Sequence, residues 1–380
     1  MRYFYLLLAC FILKVISAQT SFYDSIQHQL QWRTFKIHLP TGYNTNSPFP
    51  LIIALHGGGH DADTMEFISK LSIKADIENF IVVYPNGKKF LIRTWNAGNC
   101  CGNSVSFNVD DVGFIVKMIN KLKTDYNIDT TRIYLTGASN GGMMAYRLAC
   151  ERPDLFAAVV PVAATLQTTS SCAPNTKVPL LQIHSLPDTK VPFYGGYGTG
   201  YAGVYMPPID SVLNVWAHIN NCAISIDTFF NNNGAIGLKF NNCEYCYDVI
   251  LYITSDGGHS WPGGNQTSNG DPVSGQIDAT DIIWDFFKFK TLNCSTNNAQ
   301  GSNSNNTIQI FPNPTNNLLN IYCKNDTELL IINIYNSLGD LLQTIIGENQ
   351  IDVSNFESGF YYISVATNKN IFQSKFIKTN

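Results

Sequence analysis

Five residues, Gly137-Ala138-Ser139-Asn140-Gly141, carry the arrangement in this 380-residue chain best suited to chemistry: a serine between small residues, in the pattern G-x-S-x-G. The residues before it, Arg132-Ile133-Tyr134-Leu135-Thr136, are strand-like, and Gly142-Met143-Met144-Ala145-Tyr146 after it reads as the start of a helix. A strand turning abruptly into a helix holds a hydroxyl clear of the backbone, and a Cβ at the flanking glycines would meet strand or helix. The helix N-terminus adds partial positive charge where an attacked carbonyl gathers negative charge. Ser139 is therefore the candidate nucleophile, and the chemistry is acyl transfer.

A serine hydroxyl needs a base to take its proton, and the base needs a carboxylate to fix its tautomer and stabilise its cation. Of the seven histidines, His259 follows the last strand-like run, within Ser255-Asp256-Gly257-Gly258-His259-Ser260-Trp261-Pro262-Gly263-Gly264. Asp188 follows the strand-like residues 178–184, at the carboxyl edge where open parallel sheets carry their sites. Asp256 and Asp210 are rivals for the acid; the first is close to His259 along the chain and the second opens a helix. The order Ser139, Asp188, His259 is the one an α/β-hydrolase uses. Glycines 57 to 59 follow His56 and the apolar run Pro50-Leu51-Ile52-Ile53-Ala54-Leu55, and there backbone N–H groups can face a bound carbonyl as the second half of an oxyanion hole. The plain alternative is a tight turn. Trp95 and Trp261 sit in polar, glycine-rich loops, where a tryptophan reads as a surface that stacks on sugars or aromatic rings, with a core anchor as the alternative.

Positioning these groups requires a sheet with helices on both faces. Strand-like segments at residues 33–39, 50–55, 81–85, 132–136, 158–162, 178–184 and 249–253 alternate with helical patterns at 110–122, 209–219 and 278–290, which predicts a doubly wound, mostly parallel sheet. A long loop, residues 86–108, contains Trp95 and the adjacent pair Cys100-Cys101. Residues 1–18 fit a secretory signal with cleavage near Ala18, Cys10 leaving a lipoprotein site as a minor alternative. That apolar stretch is too short to span a membrane, so no integral membrane segment is expected after cleavage. Nine of the ten cysteines lie beyond the signal and, in an exported protein, read as disulfides with one thiol left over. Cys100 and Cys101 are expected to bond distant partners such as Cys150 or Cys172. The pair Cys243-x-x-Cys246 reads as disulfide-bonded rather than half a zinc site, and neither metal nor cofactor is expected. A net charge of −4 gives no electrostatic footprint for nucleic acid or anionic membrane. Composition divides the chain into a signal (1–18), a catalytic domain (19–290), an Asn/Ser/Thr-rich linker (291–306) and a tail (307–380) of short strands with turn signals, an all-β sandwich.

Taken together, these residues resemble the secreted esterases grouped with poly(3-hydroxybutyrate) depolymerases and feruloyl esterases, in carbohydrate esterase family one. The motifs are Leu55-His56-Gly57-Gly58-Gly59, Thr94-Trp95-Asn96-Ala97-Gly98, Cys100-Cys101-Gly102, Asp110-Asp111-Val112-Gly113-Phe114, the serine turn, Asp188 with Val191-Pro192, and the His259 loop. The resemblance implies an α/β-hydrolase with a Ser139, Asp188, His259 triad and an oxyanion hole from the N–H groups of Asn140 and Gly58. One departure is His184-Ser185-Leu186-Pro187, where the family carries a small Gly-Thr pairing before the acid. The implied substrates are feruloyl or acetyl esters on plant xylan, or alternatively a polyhydroxyalkanoate polyester; a surface binding protein on an inactive scaffold is the reading from another class. The tail resembles the C-terminal sorting domain of the type IX secretion system, through Phe311-Pro312-Asn313-Pro314, Ile334-Tyr335-Asn336-Ser337-Leu338-Gly339 and Gly359-Phe360-Tyr361-Tyr362-Ile363. It implies that secretion machinery as a partner and a secreted or cell-surface destination.

Overall fold

Unbroken apolar runs become the inner strands because both faces of a parallel sheet are covered. Phe49–Leu55, Ile81–Pro85, Ala158–Val162 and Leu180–Ser185 bury every side chain they carry. The structure, a computed structural model, describes residues 20–292 and 308–379 apart from 169–171, 173–176, 201, 224, 245, 269, 324–328, 337–340 and 368–370. The signal at 1–18 and positions 293–306 of the linker lie outside the described residues. The chain divides into two units, Met1–Asn293 and Cys294–Asn380.

In the first unit a ten-stranded sheet contains β1 (Thr20–His28), β2 (Gln31–Leu39), β3 (Phe49–Leu55), β4 (Ile81–Pro85), β5 (Ile128–Ala138), β6 (Ala158–Val162), β7 (Leu180–Ser185), β8 (Ile226–Asn232), β9 (Ala235–Phe240) and β10 (Val249–Thr254). Their spatial order is β1-β2-β4-β3-β5-β6-β7-β10-β9-β8. The strands from β4 to β10 in that order run parallel. Antiparallel pairs extend both margins. Helices Asp111–Asp125, Asn140–Glu151 and Ile209–Ile219 pack on one face through Phe114, Met118, Leu148 and Trp216. Helices Ala62–Ser69, Leu71–Glu78 and Ala279–Phe287 cover the other through Met65, Leu71, Ile283 and Phe287. The margins are wider than the sequence pattern shows, because β8 is almost wholly exposed and so carries no apolar run.

The disulfide expectation for the long loop is corrected. Cys100 and Cys101 bond each other, while Cys150 bonds Cys172 and Cys222 bonds Cys243. Distant crosslinks are unnecessary because buried polar contacts hold the loop: Asp111 accepts from Arg33 Nη2 (2.7 Å) and the Asn96 N–H (2.8 Å), and Arg147 Nη1 donates to the Asn96 carbonyl (2.6 Å). Cys246 is also disulfide-bonded, so neither cysteine of the Cys243-x-x-Cys246 pair is a free thiolate.

In the second unit, an antiparallel sheet of Ile308–Phe311, Leu318–Cys323 and Gln350–Asp352 accompanies another of Leu341–Ile346, Leu329–Tyr335, Gly359–Thr367 and Ile371–Lys378. Leu319, Ile321, Ile332, Ile334, Ile363 and Phe376 form a shared core, as alternating inward residues of a sandwich must. Among the described residues no helix is long and apolar enough to cross a membrane.

Candidate active site

The serine turn is built by close approach. A Cβ on Gly141 would lie 2.3 Å from the Leu55 carbonyl oxygen, and one on Gly137 would lie 2.6 Å from the Gly141 carbonyl, so strand and helix meet only with glycine at both positions. Ser139 itself takes φ 55°, ψ −124°, in the left-handed region a serine rarely occupies, as N-cap of helix Asn140–Glu151. The main chain fixes that conformation: the Ser139 N–H donates to the Val162 carbonyl at 2.9 Å, and the Met143 N–H donates to the Ser139 carbonyl at 2.9 Å. The hydroxyl is left at the carboxyl edge of the sheet, on the positive end of a helix.

Asp188 follows β7 in a buried turn. Its Oδ1 accepts the N–H groups of Lys190 and Val191, both at 2.9 Å, which leaves Oδ2 facing His259 Nδ1 at 2.8 Å. His259 Nε2 lies 2.7 Å from Ser139 Oγ. With Asp188 ionised, Nδ1 carries the imidazole proton and Nε2 is free to accept from the hydroxyl. Burial alone would raise the Asp188 pKa, but the hydrogen bond and charge of His259, the imidazole of His184 and the Val191 N–H together hold it below the ordinary carboxylate value. The structure thus brings together Ser139, Asp188 and His259, the three residues singled out from sequence. Neither rival acid reaches His259: Asp256 Oδ1 accepts from Ser274 Oγ at 2.5 Å, and Asp210 Oδ1 accepts the Ser211 N–H at 2.6 Å.

The unusual His184 has a structural occupation. Gln182 Nε2 donates to its Nδ1 at 3.1 Å, its Nε2–H donates to the Val191 carbonyl at 2.8 Å, and burial pushes its pKa down. A neutral imidazole therefore braces the turn that carries Asp188.

On the other side of Ser139, Asn140 grips the main chain of Trp95: its Oδ1 accepts the Trp95 N–H at 2.7 Å, and its Nδ2 donates to the Trp95 carbonyl at 3.1 Å. Trp95 Nε1–H donates to the His56 carbonyl at 2.9 Å. His56 Nε2 accepts the Gly87 N–H at 2.9 Å and Nδ1–H donates to the Gly57 carbonyl at 2.8 Å, while burial drives the His56 pKa down to about 3. The glycine loop is so fastened directly beside Ser139: a Cβ on Gly57 would sit 3.5 Å from Ser139 Cβ, with Gly58 the next residue. These supports join residues far apart in sequence, and the one local sign of them is a histidine at the end of an apolar strand. No sequence signal marks His60, whose buried Nδ1 has no hydrogen-bond partner among the described residues and whose pKa is lowered by burial.

The assignment of Trp95 and Trp261 as substrate-stacking surfaces is corrected, since they are 0% and 2% exposed. Trp261 Nε1–H donates to Thr280 Oγ1 at 3.0 Å, so both indoles anchor loops to the core. The exposed aromatics are elsewhere. Tyr197 and Tyr205 lie opposite each other in the pairing of Gly196–Tyr197 with Tyr205–Met206, their rings 5.8 Å apart. That hairpin rests on the turn that carries Asp188 through Thr199 N–H donating to the Thr189 carbonyl at 2.8 Å. A cavity of about 560 Å³, lined by Leu166, Gln167, Val204, Tyr205 and Val215 among others, includes none of Ser139, Asp188 and His259 in its lining. Among the described residues no group of His, Cys, Asp or Glu side chains is arranged to hold a metal.

Comparison with known proteins relates this chain to esterases. A family described as Esterase PHB depolymerase matches residues 33–173, and one described as Secretion system C-terminal sorting domain matches residues 309–379. A probable feruloyl esterase C of Aspergillus niger is 28% identical over 268 residues, which are 68% of this chain and 85% of that protein. Feruloyl esterase C of Emericella nidulans is 27% identical over 270 residues, with the same shares of each chain. Among solved structures, an acetyl xylan esterase from Aspergillus awamori superposes with a TM-score of 0.50 at 14% identity, over 70% of this chain and 99% of that one, a likeness of fold.

Proposed function

We propose that this chain, a carboxylic ester hydrolase with an esterase domain of the PHB depolymerase type and a secretion-system C-terminal sorting domain, releases feruloyl or acetyl groups from plant xylan outside the cell. The observation that carries the reading is the unbroken hydrogen-bonded line from Asp188 Oδ2 through His259 to Ser139 Oγ, at 2.8 and 2.7 Å, on a helix N-terminus. Ser139 is the nucleophile, His259 the general base and Asp188 the group that orients the imidazole. As Ser139 Oγ bonds the ester carbonyl carbon, its proton passes to His259 Nε2. The carbonyl oxygen becomes an oxyanion facing the N–H groups of Asn140 and Gly58. Collapse expels the sugar alkoxide, which takes the proton from His259 and leaves an acyl-enzyme. Water then repeats the sequence, giving up a proton to His259 and releasing the acid with Ser139 restored.

The choice of xylan esters is supported by relatives named feruloyl esterases along 85% of their length. The exposed Tyr197 and Tyr205 supply aromatic surface beside the acid's turn on which a sugar ring can stack. A polyhydroxyalkanoate is the second reading, favoured by the description of the family that residues 33–173 match. Methyl ferulate, acetylated xylan, short nitrophenyl esters and polyhydroxybutyrate film, offered to the purified protein, separate the readings. Release of ferulate or acetate with an inert film is expected. Film erosion without ferulate or xylan acetate release supports the polyester. Hydrolysis of none means a binding protein on a hydrolase scaffold.

A further inference from the structure

His259 is carried by the connection between Val249–Thr254 and Ala279–Phe287, which has no regular structure among its described residues, yet its ring must meet two partners at once, and the main chain under it is held by a carboxylate from farther along the same connection. Asp271 Oδ2 accepts the His259 N–H at 3.0 Å. Its other oxygen, Oδ1, pairs with Lys190 Nζ at 3.2 Å. Lys190 is two residues past Asp188, and its own N–H donates to Asp188 Oδ1 at 2.9 Å. The contacts form a closed circuit: His259 main chain, Asp271 carboxylate, Lys190, Asp188, and back to His259 Nδ1. Asp271 can approach because residue 258 is glycine; a Cβ there would lie 2.8 Å from Asp271 Cβ. Gln266 Nε2 donates to the Asp271 carbonyl at 3.0 Å, holding the carboxylate's own main chain in turn.

We propose that Asp271, with Lys190, is a positioning residue for the reaction: it ties the base's loop to the acid's turn and sets the His259 imidazole between Asp188 and Ser139. The proposal rests on the triad reading above. The two halves of the circuit differ in strength. The carboxylate accepting a main-chain N–H is charge-assisted and partly shielded, whereas Lys190 and Asp271 are 37% and 29% exposed, so their ion pair is screened and contributes less. Loss of positioning lowers kcat more than it raises KM, because the ester is still bound while the proton transfer is misaligned.

The test uses the full chain with a short nitrophenyl ester as probe, measuring kcat, KM and the unfolding midpoint. Asp271→Ala is expected to lower kcat about tenfold or more, with KM within about threefold. Asp271→Asn keeps an oxygen for the His259 N–H and is expected to lose only about two- to threefold, as is Lys190→Met. In the Asp271→Asn background Lys190→Met should add nothing, since the pair is already gone. The proposal is overturned if Asp271→Ala stays within about twofold of the parent, or if its loss tracks the fraction unfolded at the assay temperature. Should Asp271→Ala not fold, additivity of Asp271→Asn with Lys190→Met overturns it equally and non-additivity supports it. Ser139→Ala is run alongside: full activity there means the triad reading has failed, whereas an inactive Ser139→Ala beside an unaffected Asp271→Ala means only this proposal has.

Discussion

Replacing Asn140 by alanine tests whether one side chain couples the helix behind Ser139 to the loop that carries Trp95. Asn140 is 2% exposed and makes two hydrogen bonds with the Trp95 main chain, at 2.7 and 3.1 Å. They are unequal in consequence. The Trp95 carbonyl also accepts the Cys101 N–H at 3.1 Å and keeps that partner in the variant. The buried Trp95 N–H loses the acceptor it has here, a penalty of about 1–3 kcal/mol, and the carbonyl's lost bond adds about 1 kcal/mol. The expected destabilisation is about 2–4 kcal/mol, a substantial part of the 5–15 kcal/mol that typically holds a domain folded. Urea unfolding with fitted slope and midpoint measures it. Because the Asn140 N–H remains, the proposed oxyanion donor is displaced rather than deleted, so kcat should fall about tenfold, less than the 10²–10³ expected for removing a donor outright. Asn140→Asp sharpens the test. It keeps an oxygen for the Trp95 N–H, turns a second oxygen against the Trp95 carbonyl and adds negative charge beside the developing oxyanion, so it should lose more activity than alanine at comparable stability. An Asn140→Ala protein within about 1 kcal/mol of the parent and with unchanged kcat would refute the coupling.

Asp188→Asn should lower kcat by about three orders of magnitude or more, because an amide presents the wrong partner to His259 Nδ1, while Asp256→Asn, whose carboxylate holds Ser274, should keep activity; the reverse pattern in the same kinetic assay would reassign the acid. Asp248, paired with Lys290 and with Lys239, has its pKa depressed below the ordinary 3.8: burial raises it, but the two lysines outweigh that. A depressed carboxyl contributes stability above its unfolded pKa and loses it as pH falls towards the folded value. Asp248→Asn should therefore cost on the order of 2 kcal/mol at neutral pH and flatten the fall in stability below about pH 4, as followed by unfolding midpoints across pH. Trp261→Phe removes the indole N–H from Thr280 and should lower the unfolding midpoint while leaving KM for xylan esters unchanged, whereas a large rise in KM at constant stability would restore Trp261 to the substrate surface.

What the sequence made legible follows from how local each requirement is. The turn at Ser139 is specified within five residues, because its geometry admits only small neighbours, and the inner strands are legible because both of their faces are buried. The order of residues along the chain points to His259 as the base, but Asp188 and Asp256 both lie between Ser139 and His259, and only closeness along the chain sets Asp256 apart. What distinguishes Asp188 in space is the turn that aims its Oδ2 at the imidazole. The tryptophans show the limit in the other direction. A polar, glycine-rich neighbourhood suggested exposure, yet glycine there permits backbones to close over an indole, and it was the carbonyl of His56 and the hydroxyl of Thr280, 39 and 19 residues away, that made burial tolerable. The same reasoning explains Cys100 and Cys101: a loop poor in apolar residues was expected to need distant crosslinks, whereas Arg33, Asp111, Asn140 and Arg147, scattered over 115 residues of sequence, bind it through buried polar contacts. Chemistry that depends on neighbours in sequence is read early, and chemistry that depends on neighbours in space is read only once the sheet has brought them together. Asp271 belongs to the second kind, being an ordinary loop aspartate until its carboxylate is found under His259.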